Sequence, residues 1–169
     1  MNRVKSPQII ILMGVTGSGK TTIGKLLSEQ LGWTFYDGDD FHPPANVEKM
    51  SAGIALDDQD RVPWLTKLRE LALDSISSGQ SAIIACSALK AWYRDEFLAC
   101  HSNVIFFHLS GTAECITKRL AQRKDHFMDP ALLKSQFETL EEPEEAYLID
   151  VSSSPEEIAA KIYTILNAI

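Results

Sequence analysis

Gly14-Val15-Thr16-Gly17-Ser18-Gly19-Lys20-Thr21 follows directly on the apolar run Ile9-Ile10-Ile11-Leu12-Met13, and this junction decides the fold. The stretch from Gly14 to Thr21 is a full G-x-x-x-x-G-K-[ST] phosphate loop. Its glycines let the backbone come close to a ligand, so that successive N–H groups can converge on phosphate oxygens. Lys20 supplies an ammonium for the β- and γ-phosphates, and the Thr21 hydroxyl is the expected Mg²⁺ ligand. The apolar run before the loop suits a buried parallel strand. After it, Ile23, Leu26, Leu27 and Leu31 recur at helical spacing and Gly32 stands where a helix would stop. The loop therefore joins a strand to a helix N-terminus, where free amides and the helix dipole favour an anion. A glycine-rich turn that binds nothing lacks this context. The phosphate-binding residues are expected to be Gly14, Val15, Thr16, Gly17, Ser18, Gly19, Lys20, Thr21 and Thr22.

Outward from the loop, four more apolar runs read as strands: Thr34–Asp37, Ser81–Cys86, Val104–Leu109 and Ala146–Val151, with the first strand at Gln8–Met13. Helical patterns lie between them. Pro63 is expected in a first helical turn, with Trp64, Leu65, Leu68, Leu71, Ala72 and Ile76 forming an apolar face that ends near Gly79. Ala113, Ile116 and Leu120 mark another helix, and Leu132, Leu133, Phe137 and Leu140 a further one starting at Asp129-Pro130. Ser154-Pro155-Glu156-Glu157 reads as a capping box opening the last helix. Strands alternating with helices predict an α/β fold with a parallel sheet covered on both faces. Ligands on such sheets sit at the carboxyl ends of the strands.

Those ends carry the candidate chemistry. After the second strand comes Asp37-Gly38-Asp39-Asp40-Phe41-His42. An Asx-rich turn is the plain reading, but a kinase needs one carboxylate for the acceptor's proton and another to steer hydrated Mg²⁺. If the strand ends at Asp37, strand parity turns Asp37 and Asp39 the same way and Asp40 the other. The third strand has no terminal Asp, so the Asp37–Asp40 cluster must supply the metal-directing carboxylate. Lys90 and Arg94, four apart, either hold an anionic acceptor or form a solvated basic edge. Arg119 and Arg123 fall in a basic stretch between two helices that suits a lid closing over the nucleotide, with ordinary surface charge as the alternative. The net charge is −7, yet Lys20, Lys49, Arg61, Lys90, Arg94, Arg119 and Arg123 fall in segments expected near the strand ends. A basic pocket in an acidic protein suggests two anionic ligands.

The joint pattern resembles the bacterial gluconokinases. It comprises Gly14–Thr21, then Asp37-Gly38-Asp39-Asp40-Phe41-His42-Pro43, Asn46, Lys49-Met50, Gly53 and Leu56. Asp60-Arg61, Pro63-Trp64-Leu65, Ala85–Lys90, Tyr93-Arg94-Asp95, His126-Phe127-Met128, Leu132-Leu133 and Ser135-Gln136-Phe137 continue it in the family's order. The resemblance implies a P-loop kinase fold, with a five-stranded parallel sheet and a small helical lid at about 119–140, in one domain spanning 1–169. It also implies ATP with Mg²⁺ as phosphoryl donor and D-gluconate as acceptor at its 6-hydroxyl, in a cytoplasmic homodimer. On this basis Lys20, Asp39 and Arg123 are the expected catalytic residues, with Asp39 at the acceptor hydroxyl. Arg119 and Arg123 join the loop in binding ATP. Asp39, His42, Lys49, Arg61, Lys90 and Arg94 form the substrate side, and Thr21 and Asp37 the metal site. Asp125 stands where the family usually has Gly.

Composition narrows the alternatives. At 45 % hydrophobic and 23 % charged, the chain has an ordinary globular balance. Net acidity argues against a nucleic-acid or membrane-surface role. The short apolar run before the loop is expected to be neither a signal peptide nor a membrane span. Cys86, Cys100 and Cys115 have no C-x-x-C spacing and are expected to be reduced thiols. A shikimate-kinase-like enzyme shares the loop and the Asp-x-Asp, but Asp40-Phe41-His42-Pro43 and Asp60-Arg61-Val62-Pro63-Trp64-Leu65 fit it poorly. A nucleoside-monophosphate kinase needs a base pocket, which the polar segment from Asp39 to Arg61 does not offer. A GTPase-type switch needs an Asn-Lys-x-Asp guanine reader, and none is present.

Overall fold

The computed structural model of the chain describes residues 5–123 and 130–169. Five parallel strands, β1 (Ile9–Met13), β2 (Thr34–Asp37), β3 (Ala82–Ala85), β4 (Val104–Ser110) and β5 (Tyr147–Asp150), form one sheet in the order β2-β3-β1-β4-β5. Each lies within a residue or so of its predicted run. Those runs are apolar on both faces because helices cover both sides. Alternate residues of β1 go to opposite cores. Ile9, Ile11 and Met13 pack with Trp64, Leu65, Leu68 and Ala72 of α3 (Asp58–Ser77) and with Tyr93 of the short α4 (Ala91–Tyr93). Ile10 and Leu12 pack with Ile23 and Leu27 of α1 (Lys20–Leu31) and with Ile158, Ile162 and Leu166 of α7 (Pro155–Ala168). All five β1 side chains are buried, so truncating Ile11 or Leu12 to Ala would cost about 2–5 kcal/mol.

A third, smaller cluster lies between the phosphate loop and two late helices. Val15 of the phosphate loop packs with Leu89, Ile116 and Leu133. Ile116 belongs to α5 (Ala113–Ala121) and Leu133 to α6 (Pro130–Thr139). The predicted features at Lys124, Asp125, His126, Phe127, Met128 and Asp129 lie outside the described residues.

Two helical expectations need correcting. Pro63 does not open a helix: α3 begins at Asp58, capped by Asp57. The Asp57 carboxylate accepts from Asp60 N–H at 2.7 Å and Asp60 returns the bond to Asp57 N–H at 3.0 Å. That reciprocal cap moves the start upstream, and Pro63 sits on the exposed side of the helix interior. Lys90 and Arg94 do not share the face of a regular helix. Lys90 is the N-cap of α4, and the chain passes into a π-helical turn at Arg94–Leu98. A short helix, α2 (Pro44–Ser51), falls in a stretch where periodicity predicts none. The last helix starts at Pro155 as expected, with one half of the capping box made: Ser154 Oγ accepts from Glu157 N–H at 3.3 Å.

Candidate active site

The phosphate loop leaves β1, the central strand, and ends as α1 begins, so its amides gather above the middle of the sheet. The backbone there is tightly enclosed. Gly14 has φ of 147°, and a Cβ on it would lie 2.6 Å from the Leu109 carbonyl oxygen. Any side chain would push the loop off the sheet. Thr16, Gly17, Gly19, Lys20 and Thr21 line a cleft together with Asp37, Asp39, Cys86, Ser87, Arg123 and Gln136. Val15 and Ser18 are buried behind it, and Thr22 is exposed and does not line it.

Lys20 Nζ donates to the carbonyls of Gly14 at 2.9 Å and Val15 at 3.1 Å, which curls the side chain back over the loop. Burial lowers its pKa, while the facing carboxylates of Asp39 and Asp37 oppose that shift. Thr21 Oγ1 donates to Asp37 Oδ2 at 3.1 Å. A hydroxyl and a carboxylate so placed are the hard oxygen donors that Mg²⁺ prefers, so the residues fit that ion. Among the described residues no three His, Cys, Asp or Glu side chains form a metal-binding group. A Mg²⁺ held by two protein oxygens and substrate phosphates needs none.

Asp39 lines the cleft, but strand parity is not the reason. β2 ends at Asp37 and Gly38–Phe41 forms a 3-10 turn, capped by Asp37 Oδ1 accepting from Asp39 N–H at 3.0 Å. The turn packs closely because a Cβ on Gly38 would meet the Ala85 carbonyl at 2.4 Å. Partial burial in the cleft, then the nearby Asp37 charge, push the Asp39 pKa up, and Lys20 opposes both. Asp39 and Asp40 are both exposed at the surface, and only Asp39 lines the cleft.

Of the other residues expected on the substrate side, His42, Lys49, Arg61 and Lys90 do not line the cleft and bond with side chains of α2, α3 and α4. Trp64 Nε1 donates to the Gly38 carbonyl at 2.7 Å, and His42 stacks on the Trp64 indole with centroids 4.3 Å apart. Burial lowers the His42 pKa, against the pull of Asp39. Lys49 pairs with Asp60 at 2.8 Å. Asp58 accepts from Tyr93 Oη at 2.6 Å and from Lys90 Nζ at 3.0 Å, while Arg61 Nη1 donates to Tyr93 Oη at 3.2 Å. Sequence reasoning missed Asp58 and gave Tyr93 no role, because their partners lie more than 30 residues away.

Arg94 must be removed from the substrate-side set. It is 7 % exposed. Its guanidinium donates to the carbonyls of Ala88 at 2.7 Å, Leu89 at 3.2 Å and Glu141 at 2.8 Å. Ala88 has a positive φ of 48°, and Arg94 holds that strained turn in place. Its donors serve the fold.

On the lid side, Arg123 is exposed and lines the cleft. Arg119 is tied to the loop after β5, with Nη2 donating to the carbonyls of Val151 and, at 2.7 Å, Ser153. Gln136 of α6 also reaches the cleft, a position for which the sequence offered only its place in the Ser135-Gln136-Phe137 motif.

Known proteins resemble this chain in sequence and fold. The shikimate kinase family matches residues 16–167. The thermosensitive gluconokinase of Escherichia coli (strain K12) is 48 % identical over 134 residues, covering 79 % of this chain and 72 % of its own. The thermoresistant gluconokinase of the same organism is 38 % identical over 163 residues, covering 94 % and 93 %. A crystal structure of a gluconokinase from Sinorhizobium meliloti 1021 superposes with a TM-score of 0.83 at 36 % identity, covering 96 % of this chain and 97 % of that one. With a phosphate loop above a five-stranded parallel sheet and relatives of this similarity along nearly its whole length, the chain belongs to the gluconokinase family of P-loop kinases, within the broader shikimate kinase group.

Proposed function

We propose that the protein transfers the γ-phosphoryl group of ATP to the 6-hydroxyl of D-gluconate, giving 6-phospho-D-gluconate and ADP. The observation that carries this reading is the convergence of Lys20, Thr21, Asp37 and Asp39 on one cleft at the end of the central strand. The gluconokinases among its relatives support the choice of acceptor. Loop amides and Lys20 bind and orient the phosphates. Thr21 and Asp37 would hold Mg²⁺, which when bound neutralises phosphate charge. Asp39 accepts the hydrogen bond of the acceptor hydroxyl and takes its proton. Its raised pKa makes it a better base than an ordinary carboxylate. Because phosphoryl transfer is loose, alignment by Asp39 matters at least as much as its basicity. Arg123, at the cleft's edge, is suited to neutralise charge on the transferring group.

The network of Asp58, Lys90, Tyr93 and Arg61 supplies donors and acceptors suited to a polyhydroxylated acid beside the cleft. The free thiols Cys86, Cys100 and Cys115 favour a reducing, cytoplasmic setting. A homodimer is proposed on the family resemblance, and light scattering on the purified protein tests it. No helix among the described residues is long and apolar enough to cross a membrane. A coupled ADP-release screen over D-gluconate, other aldonic acids, shikimate and nucleoside monophosphates tests the activity. Release driven by gluconate is expected; release driven instead by shikimate or a monophosphate would overturn the assignment.

A further inference from the structure

Gln136 projects from α6 toward the phosphate loop, 120 residues away in sequence, and its Oε1 accepts from Thr16 N–H at 2.6 Å. A backbone N–H can only donate, so the carboxamide oxygen must face Thr16 and the NH₂ group must be the other end. Among the described residues no hydrogen bond uses that NH₂ group. The side chain lines the same cleft as Lys20, Thr21, Asp37, Asp39 and Arg123. The helix that carries it is fixed as well. Leu133 and Phe137, on the same helix, pack against Val15, Leu89, Ile116 and Leu120, and Val15 is the neighbour of Thr16. The carboxamide is thus carried by a helix packed on the apolar cluster and held at its oxygen by the loop, and among the described residues its two donors have no partner.

Donors fixed before the reaction are the kind that stabilise charge developing on a phosphoryl group. A neutral amide also adds hydrogen bonds without disturbing the charge balance of Lys20 with Asp37 and Asp39. Resting on the phosphoryl-transfer reading above, we propose that Gln136 Nε2 donates to the phosphoryl group in transfer, making Gln136 a catalytic residue and Thr16 N–H the group that positions it. Gln136 then links lid to loop, because α6 brings the donor and the loop sets its angle.

Gln136→Glu separates this role from a packing role. It keeps the stem and an oxygen for Thr16 N–H, but replaces the free donors with a negative oxygen facing the phosphoryl group. Calorimetric titration with Mg²⁺ and nucleotide, without acceptor, should show ATP affinity falling about tenfold while ADP affinity stays within about twofold. Gluconate-dependent turnover should fall about 10²-fold. The thermal midpoint should match that of the wild type. Gln136→Ala should lower turnover less than Gln136→Glu and leave the ATP-to-ADP affinity ratio near normal. The proposal is overturned if Gln136→Glu turns over within about twofold of wild type, or loses ATP and ADP affinity equally. Tighter ATP binding by Gln136→Ala would overturn it too, because Gln136 would then be a plug that ATP displaces. The titration arm involves no acceptor. A wild-type enzyme that ignores gluconate would therefore sink the acceptor assignment and leave this comparison decisive.

Discussion

The two ends of the candidate site are built in different ways. The phosphate end is one contiguous loop whose ligands are mostly main-chain amides, held by Gly14 against the Leu109 carbonyl and by Lys20 against two carbonyls of its own loop. The proposed acceptor end is assembled from side chains on and beside three helices. Its charges already satisfy each other, Lys49 with Asp60 and Lys90 with Asp58, with Tyr93 and Arg61 joined to the second pair. A backbone nest offers an anion the same donors before and after binding. A side-chain network must release some of its own hydrogen bonds to a substrate. The first should therefore set rate, and the second should set which acceptor is chosen and how tightly.

The sharpest way to break this contrast is at the phosphate end. Lys20→Ala should lower turnover by about 10²-fold or more, because the ammonium acts on charge that moves in the transition state. A near-normal rate in steady-state assays would move the chemistry elsewhere.

Asp39→Asn should also cut turnover sharply, about 10²-fold, with ATP affinity kept. Here stability should move the opposite way. A carboxyl whose folded pKa is raised binds its proton more tightly when folded, so stability falls as pH rises through that window. At neutral pH the ionised Asp39 is a cost, and Asp39→Asn should raise the thermal midpoint. That gain should vanish once the pH is low enough to protonate wild-type Asp39. Wild-type turnover should fall over the same acidic window, beginning above the pH at which an ordinary Asp titrates. Asp40→Asn, run alongside, should change turnover by no more than about twofold. If Asp40→Asn proves the damaging variant, the 3-10 turn does not present Asp39 as described.

Arg94→Ala tests the correction within the acceptor region. Losing three carbonyl partners at a buried site should cost about 3 kcal/mol of stability in denaturant unfolding. The gluconate KM of whatever remains folded should be unchanged. A stable variant with a raised KM would return Arg94 to the substrate.

A milder effect is expected at Asp58. Asp58→Asn should raise the acceptor KM about tenfold by loosening Lys90 and Tyr93, and leave the ATP KM alone. Equal changes in both would erase the division between the two ends.

How much of this was legible in the sequence follows the same division. The phosphate loop reads directly because its ligands are neighbours in the chain, and the strands read to within a residue or so because each is an unbroken apolar run. Asp37 and Asp39 were found together, but for the wrong reason, since a turn and not a strand carries Asp39 into the cleft. Arg94 misled because its i, i+4 spacing from Lys90 presumes a regular helix. The chain there opens into a π-helical turn and draws the guanidinium inward to the Ala88 and Leu89 carbonyls. Asp58 and Gln136 were missed because each acts on a residue far along the chain, and no local pattern encodes such a meeting.

The placement of β1 has a consequence for how the protein is made. It is the central strand, yet its partners are β3, where Ile9 pairs with Ala82, and β4, where Ile9 pairs with Val104. On the ribosome β1 emerges about 70 residues before β3, which is a wait of several seconds at roughly 5–20 residues per second. During that wait five wholly apolar residues, Ile9–Met13, have no sheet to join. The nascent chain therefore exposes this apolar segment before the strands that will cover it have been made. Destabilising changes in β3 or β4 should then reduce soluble yield in the cell more than their effect on the purified protein suggests.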